Sequence, residues 1–277
     1  MKTMAEQDLL SKEHELENLL SREDKIMVAF SGGVDSTFLL FKAINVLGAS
    51  NVLAVTSISE LITKDEQQEA QNLATQFGAR HELLKTEELS LLEFATNSPQ
   101  RCYYCKKELY SKLFELGKKR GIETIVDGSN SDDDNDYRPG LKATREMGVR
   151  SPLKEAGLNK SDVRNLSWQY NLPTWNKPAA ACLASRFPYG EKLEEGKIKK
   201  VEQSEKILKQ MGFVNDLRVR FHGELARIEI SENEFDSLLD KREEIIKELG
   251  KIGFKYITLD MQGFVSGSMN RTLDNSQ

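Results

Sequence analysis

The chain has 277 residues, 39% of them hydrophobic, enough for one large domain or two smaller ones. No apolar run approaches the ~20 residues that span a bilayer, and residues 1–24 lack a signal-peptide core, so a soluble cytoplasmic protein is expected. The net charge of −5 disfavours a protein that mainly grips nucleic acid, which needs an excess of Lys and Arg over at least one face.

Residues 1–24 read as an amphipathic helix with Leu9, Leu10, Leu16, Leu19 and Leu20 on or near one face. An apolar strand is predicted at 25–30, then a helix at 37–47 ended by Gly48. A second strand follows at 51–56, a helix at 64–77 closed by Gly78, and a third strand at 81–84. A helix at 103–120 closed by Gly121 leads to a strand at 123–126 and a polar loop, DGSNSDDDNDYRPG. Strands alternating with helices of these lengths predict an α/β fold with a parallel sheet covered on both faces.

The composition then shifts. Residues 172–190, LPTWNKPAAACLASRFPYG, hold three of the six prolines and little periodicity, which marks a long functional loop or a linker. Beyond it a helix at 194–211, strands at 217–221 and 225–230, a helix at 232–249 and a strand at 256–259 predict a smaller C-terminal α+β domain. The expected organisation is an N-terminal helix over 1–24, an α/β domain over 25–175, a cysteine-bearing loop over 176–190 and the α+β domain over 191–277.

The run Ser31-Gly32-Gly33-Val34-Asp35-Ser36-Thr37 sits between the first strand and its helix. Ligands of open α/β sheets bind beyond the carboxyl ends of the strands. Gly32 and Gly33 let the backbone turn sharply and bring its N–H groups to an anion, and the helix N-terminus adds about half a positive charge. Ser31, Ser36 and Thr37 add hydroxyl donors. Asp35 is out of place in an anion site unless it helps to hold a Mg²⁺ that bridges phosphates. The loop lacks the lysine of a G-x-x-x-x-G-K-[ST] phosphate loop, which points away from γ-phosphate transfer.

Three cysteines, an odd number, argue against a pure disulfide framework. Cys102 and Cys105 form a C-x-x-C at the start of a predicted helix, where the helix N-terminus and Arg101, Lys106 and Lys107 lower thiol pKa values. Cys182 lies in the proline-rich loop. Unrelated core cysteines, a redox pair, and a structural zinc site completed by His14, His81 or His222 are open readings. A [4Fe–4S] cluster is another: three cysteine ligands leave the fourth iron free to carry an extra sulfide.

SGGVDS resembles the signature of the PP-loop ATP pyrophosphatases, which implies a Rossmann-like PP-loop sheet, ATP and Mg²⁺ as cofactors, and cleavage between the α- and β-phosphates. Four further segments, DGSNSDDDNDYRPGLKA, NKPAAACLASRFPYG, LRVRFHGELARIEI and YITLDMQGFVSGSMN, are similar to the LarE family over residues 25–270. That resemblance implies an ATP-dependent sulfur transferase acting on a small-molecule nucleotide, pyridinium biscarboxylic acid mononucleotide. The implied product serves the nickel-pincer cofactor of lactate racemase.

It also implies a homo-oligomer, hexamer or dimer, with the C-terminal domain carrying substrate or oligomer contacts. In single-cysteine members the cysteine matching Cys182 gives up its own sulfur. The added Cys102 and Cys105 resemble the three-cysteine, iron–sulfur type, with Cys102, Cys105 and Cys182 as ligands and an unidentified sulfur donor.

Arg218 and Arg220 alternate along a strand, share one face, and match family positions that hold the substrate phosphate. Arg186 is expected as an anion or adenylate partner, and Lys106 as a cation that offsets charge during adenylation. Asp127 and Gly128 are expected to line the nucleotide pocket. The acidic run Asp132–Asp136 reads as a solvated loop, and Glu205 as support for a metal or phosphate site. Competing readings are a tRNA thiolation enzyme, an amide-forming PP-loop ligase, and a nucleotide-binding regulator clipped by zinc.

Overall fold

The computed structural model describes residues 3–135, 139–178, 181–265 and 267–268. In chain order its elements are α1 (Met4–Ser21), β1 (Ile26–Ala29), α2 (Val34–Leu47), β2 (Val52–Ile58), α3 (Lys64–Gln76), β3 (Arg80–Lys85), α4 (Leu92–Ala95), α5 (Arg101–Arg120), β4 (Thr124–Val126), α6 (Pro139–Glu146), α7 (Pro152–Glu155), α8 (Lys160–Gln169), α9 (Glu195–Gln210), β5 (Arg218–His222), β6 (Leu225–Glu229), α10 (Phe235–Asp240), α11 (Arg242–Ile252) and β7 (Tyr256–Leu259). The chain divides into two compact units, Met1–Glu88 with Cys102–Ala180, and Leu89–Arg101 with Ala181–Gln277.

The first unit is built on a four-stranded sheet of order β3-β2-β1-β4, parallel throughout. The expected α/β fold with a PP-loop-type parallel sheet is what the chain adopts. β1 and β2 are buried apolar runs, as strands covered on both faces must be. One cluster, including Leu16, Leu20, Phe38, Leu39 and Leu166, packs α1, α2 and α8 together. A second, including Met27, Leu53, Tyr110, Leu113 and Ile125, lies under α5.

Leu10 departs from the expected α1 stripe: it is exposed, and Glu13 is buried in the same helix. Glu13 accepts hydrogen bonds from Lys42 at 2.8 Å and from the Tyr170 hydroxyl at 2.6 Å, which makes its burial tolerable.

The strand order places a switch point at β1. The chain steps outward from β1 to β2 and β3, then returns to add β4 on the other side of β1. The connections after β1 and β4 therefore leave in opposite directions and open a crevice at the carboxyl edge. The SGG loop follows β1, and Asp127 and Gly128 follow β4, so both border that crevice.

The second unit holds a three-stranded sheet of order β5-β6-β7, with β5 and β6 antiparallel and β7 parallel to β6. Phe221 of β5 meets Phe187 and Phe254 at ring-centroid distances of 5.1 and 6.1 Å. The segment Leu89–Arg101 joins this unit through Leu193 N–H to the Ala95 carbonyl at 2.8 Å and Gly190 N–H to the Asn97 carbonyl at 3.1 Å. The single helix expected at 232–249 is broken at Lys241, whose backbone leaves the helical region while its ammonium donates to the Met211 carbonyl.

Candidate active site

The helix after the SGG loop starts at Val34, earlier than the predicted Thr37, with Gly33 extended as its N-cap. Asp35 and Ser36 thus belong to the first turn of α2. Gly32 has φ +69°, and a Cβ there would lie 3.3 Å from the Ala70 backbone, so glycine serves both the turn and the close approach of α3. Ser31 and Ser36 hold the loop closed, with their hydroxyls 3.1 Å apart and the Ser31 N–H donating to Ser36 Oγ at 3.3 Å. Thr37 Oγ1 is buried and has no hydrogen-bond partner among the described residues.

Lysines that the motif reading did not find surround the loop. The Lys177 ammonium donates to the Gly32 carbonyl at 3.0 Å and pairs with Glu69 at 2.7 Å. Lys160, the first residue of α8, forms an ion pair with Asp35, whose other oxygen accepts from Asn130 at 3.3 Å. A capping box of Asn159 with Asp162 sets the start of α8 and so the position of Lys160. That N-K-S-D pattern was a readable signal for Lys160.

Across the crevice, a Cβ on Gly128 would stand 2.8 Å from Ser36 N, so only glycine lets the end of β4 lie against the start of α2. Asp127 is buried and accepts four hydrogen bonds. Ser129 N–H (3.1 Å) and Ser151 Oγ (2.8 Å) reach Oδ1, and Tyr110 OH (2.7 Å) and Ser129 Oγ (3.0 Å) reach Oδ2. Burial alone would raise its pKa, but the nearby Lys106 ammonium and these donors hold it below the usual carboxylate value.

Lys106 Nζ is 3.6 Å from Asp127 Oδ2 and donates to Tyr110 OH at 2.9 Å. Burial opposes its charge, yet Tyr110 and Asp127 outweigh that and keep the ammonium protonated beyond its ordinary range.

In the acidic loop, Asp133 accepts from Asn130 N–H at 3.0 Å within the turn, and Asp132 accepts from Lys160 N–H at 2.9 Å at the start of α8. Asp136 lies outside the described residues.

Cys102 and Cys105 stand three apart on α5, on one face, with Cys102 exposed and Cys105 half-buried. Cys105 Sγ is 3.9 Å from Oε1 of the buried Glu88, whose pKa burial raises. Among the described residues no three His, Cys, Asp or Glu side chains form a group able to hold a metal ion.

In the second unit the exposed Cys182 precedes a short turn, Leu183–Arg186. Arg186 is buried and committed: its Nε and Nη2 meet Glu205 Oε1 and Oε2 at 2.9 and 3.0 Å, and Nη1 reaches the Cys182 carbonyl at 3.2 Å. Glu205 also accepts from Val219 N–H at 3.0 Å, so one carboxylate ties α9, the cysteine turn and β5 together.

Arg218 and Arg220 do alternate along β5, but their surroundings differ. Arg220 is buried and bonded to Glu229 at 2.7 and 2.9 Å and to the Ser185 carbonyl at 2.6 Å. Arg218 is half-buried, lies over the Phe264 ring at 5.1 Å, and donates to the Leu217 carbonyl at 2.7 Å. Burial, then the neighbouring Arg186, lowers its pKa. The buried Glu229 behind this pair was not singled out from sequence; its alternation with Arg227 along β6 was the available signal.

Comparison with known proteins adds an independent line. The NAD synthase family matches residues 12–108, the stretch that holds the SGG loop and the C-x-x-C. The pyridinium-3,5-bisthiocarboxylic acid mononucleotide synthase of Lactiplantibacillus plantarum is 42% identical over 269 residues, covering 97% of each chain. An uncharacterized protein of Synechocystis is 40% identical over 96% of this chain, and one of Methanocaldococcus jannaschii is 29% identical over 87%. No described helix is long and apolar enough to cross a membrane. The parallel sheet, the SGGVDS loop at its switch point and end-to-end identity of this extent establish that the chain is a PP-loop enzyme belonging to the LarE family.

Proposed function

We propose that the protein is an ATP-dependent sulfur transferase that converts the carboxylates of pyridinium biscarboxylic acid mononucleotide to thiocarboxylates, for the nickel-pincer cofactor of lactate racemase. The observation that carries this reading is the glycine loop and α2 N-terminus, bordered by Lys160 and Lys177, in a chain 42% identical to a synthase of that product.

The loop's N–H groups, Lys160 and Lys177 hold the β- and γ-phosphates, and Asp35 is the carboxylate that would hold a Mg²⁺, which would offset the phosphate charge. A substrate carboxylate oxygen attacks the α-phosphorus. The P–O bond to the β-phosphate breaks, and pyrophosphate leaves with the electron pair. Lys106, beside the crevice wall of Asp127 and Gly128, offsets the charge that builds on the α-phosphate. A sulfide-level sulfur, as hydrosulfide, then attacks the acyl carbon, the C–O bond to AMP breaks with its electron pair leaving on AMP, the S–H proton passes to water, and a thiocarboxylate remains. Arg218 holds the substrate phosphate, while Arg220 and Arg186 keep its strand and the Cys182 turn in place.

Cys102, Cys105 and Cys182 are the thiols that would hold a [4Fe–4S] cluster, which with three cysteine ligands supplies an open iron for sulfide. Two thiols on one face of α5 supply the soft sulfur donors that such a group takes. The active form is a homo-oligomer in the cytoplasm.

Iron, zinc and acid-labile sulfide per chain after anaerobic reconstitution test the cluster. About four irons and four sulfides, lost in Cys102→Ala, are expected for a [4Fe–4S] group. Absence of iron, with Cys182 converted to dehydroalanine on turnover, would show instead that Cys182 is itself consumed as the sulfur source.

A further inference from the structure

The hydrogen bonds around Asp127 fill its capacity. A carboxylate offers about four lone-pair sites. Ser129 N–H and Ser151 Oγ occupy Oδ1, and Tyr110 OH and Ser129 Oγ occupy Oδ2. Lys106, at 3.6 Å, is therefore close enough to be attracted but has no site left to donate into. Its ammonium is caught instead by the Tyr110 hydroxyl at 2.9 Å.

Tyr110 lies one helical turn along α5 from Lys106, on the same face, and its side chain is fully buried. Thr144 Oγ1 of α6 stands 3.1 Å from its hydroxyl. The phenol has one O–H, which donates to Asp127, so its lone pairs are left to accept from Lys106. Burial pushes Tyr110 up to about 12, which keeps that proton in place at neutral pH. An ammonium has three N–H donors. One goes to Tyr110, and the other two have no hydrogen-bond partner among the described residues, on a side chain that is 38% exposed.

We infer that Tyr110 is the positioning residue for Lys106: its hydroxyl bridges the ammonium and Asp127, holds their ion pair at 3.6 Å instead of at direct hydrogen-bond distance, and so leaves two N–H donors for the reacting carboxylate and α-phosphate. The inference rests on the reading of Lys106 as the cation of the adenylation step. A direct Lys106–Asp127 pair would draw the ammonium back against the wall and use its donors internally.

Tyr110→Phe keeps the ring and removes only the hydroxyl, which frees one site on Asp127 Oδ2. Two measurements test the inference. In the first, pyrophosphate release is followed with ATP and pyridinium biscarboxylic acid mononucleotide. The expected result is a kcat lower by about 10–100-fold with KM for ATP within about twofold. Lys106→Met should lose at least as much, and the double variant no more than Lys106→Met alone. A Tyr110→Phe enzyme with wild-type kcat, or losses that multiply in the double variant, would overturn it.

The second measurement is a crystal structure of Tyr110→Phe and needs no substrate. The expected result is Lys106 Nζ within hydrogen-bond distance of Asp127 Oδ2. An ammonium that keeps its place would overturn the inference even if the variant were slow. Failure of the wild-type enzyme to release pyrophosphate with this acceptor would strike the adenylation reading itself, while the crystal structure would still decide whether Tyr110 separates the two charges.

Discussion

Arg186 and Glu205 meet as two parallel forks, Nε to Oε1 at 2.9 Å and Nη2 to Oε2 at 3.0 Å, with both side chains 6% exposed. The pair fixes the turn that carries Cys182, because the third arm of Arg186 reaches the Cys182 carbonyl. Breaking a buried pair by removing one partner costs about 3–5 kcal/mol, since the other charge is left stranded. Glu205→Ala is expected to lose that much in chemical denaturation. The Arg186→Ala, Glu205→Ala double variant should lose less than the sum of the singles, because no charge is stranded in it.

Arg218 and Arg220 should separate in a paired experiment. Arg220→Ala leaves the buried Glu229 with Arg227 as its remaining partner and the Ser185 carbonyl without its donor, so about 2–4 kcal/mol is expected. Arg218→Ala removes a side chain with one backbone hydrogen bond and a ring contact, so about 1 kcal/mol or less is expected. If Arg218 holds the substrate phosphate, its loss should raise KM for the mononucleotide by about tenfold or more at little change in melting temperature. Thermal melts beside steady-state kinetics check both.

Gly128→Ala tests the crevice. The added Cβ would stand 2.8 Å from Ser36 N, and the backbone atoms it meets have no flexible end to swing aside. Pushing β4 and α2 apart is expected to cost about 1–3 kcal/mol, drawn largely from the site, so ATP affinity should fall by about tenfold or more. Calorimetric titration with ATP measures it. Gly48→Ala is a fitting control: a Cβ there meets nothing, although φ +81° strains it, so stability should drop with ATP affinity unchanged.

His81 gives a pH dependence with a defined sign. Its Nε2 is 2.8 Å from Thr56 Oγ1, which in turn donates to the Phe30 carbonyl just before the SGG loop. Burial lowers its pKa below the ordinary value of about 6.5. The unfolded chain therefore takes up the proton first as pH falls. Stability is full above about pH 6.5 and declines below it until the folded pKa is crossed. His222 is lowered too, by burial and then by Arg227 and Arg220, and adds a slope of the same sign. His81→Gln should make the loss of melting temperature between about pH 7 and pH 5 shallower.

Much of the first unit was legible because its signals are local. An apolar strand, two glycines and a helix fit only a few geometries, and Gly48, Gly78 and Gly121 all close their helices with positive φ. Residues 139–169 were not legible as helices, because Pro139, Gly148, Pro152 and Gly157 cut them into pieces too short for periodicity. The start of α2 was placed late because Val34-Asp35-Ser36 reads as loop chemistry, and Asp35 is a first-turn acidic residue facing the helix dipole.

The site's partnerships were the least visible part. Lys160 reaches Asp35 across 125 residues and Lys177 reaches Gly32 across 145, separations no window of sequence contains. Arg186 read as an anion or adenylate partner because the carboxylate it meets, Glu205, lies 19 residues on, in another element. Tyr110 was within reach of the sequence, four residues past Lys106 on one helix face, but its hydroxyl matters only beside the Asp127 that β4 delivers.

In the proposed reaction ATP activates a carboxylate that sulfur then captures. The most direct test is mass spectrometry of the mononucleotide after incubation of the anaerobically purified enzyme with Mg²⁺, ATP and pyridinium biscarboxylic acid mononucleotide, with AMP and pyrophosphate counted in the same sample. Replacement of carboxylate oxygen by sulfur is expected, with one AMP and one pyrophosphate formed for each sulfur introduced. Pyrophosphate release that requires ammonia and yields an amide, unchanged in Cys182→Ala, would contradict it.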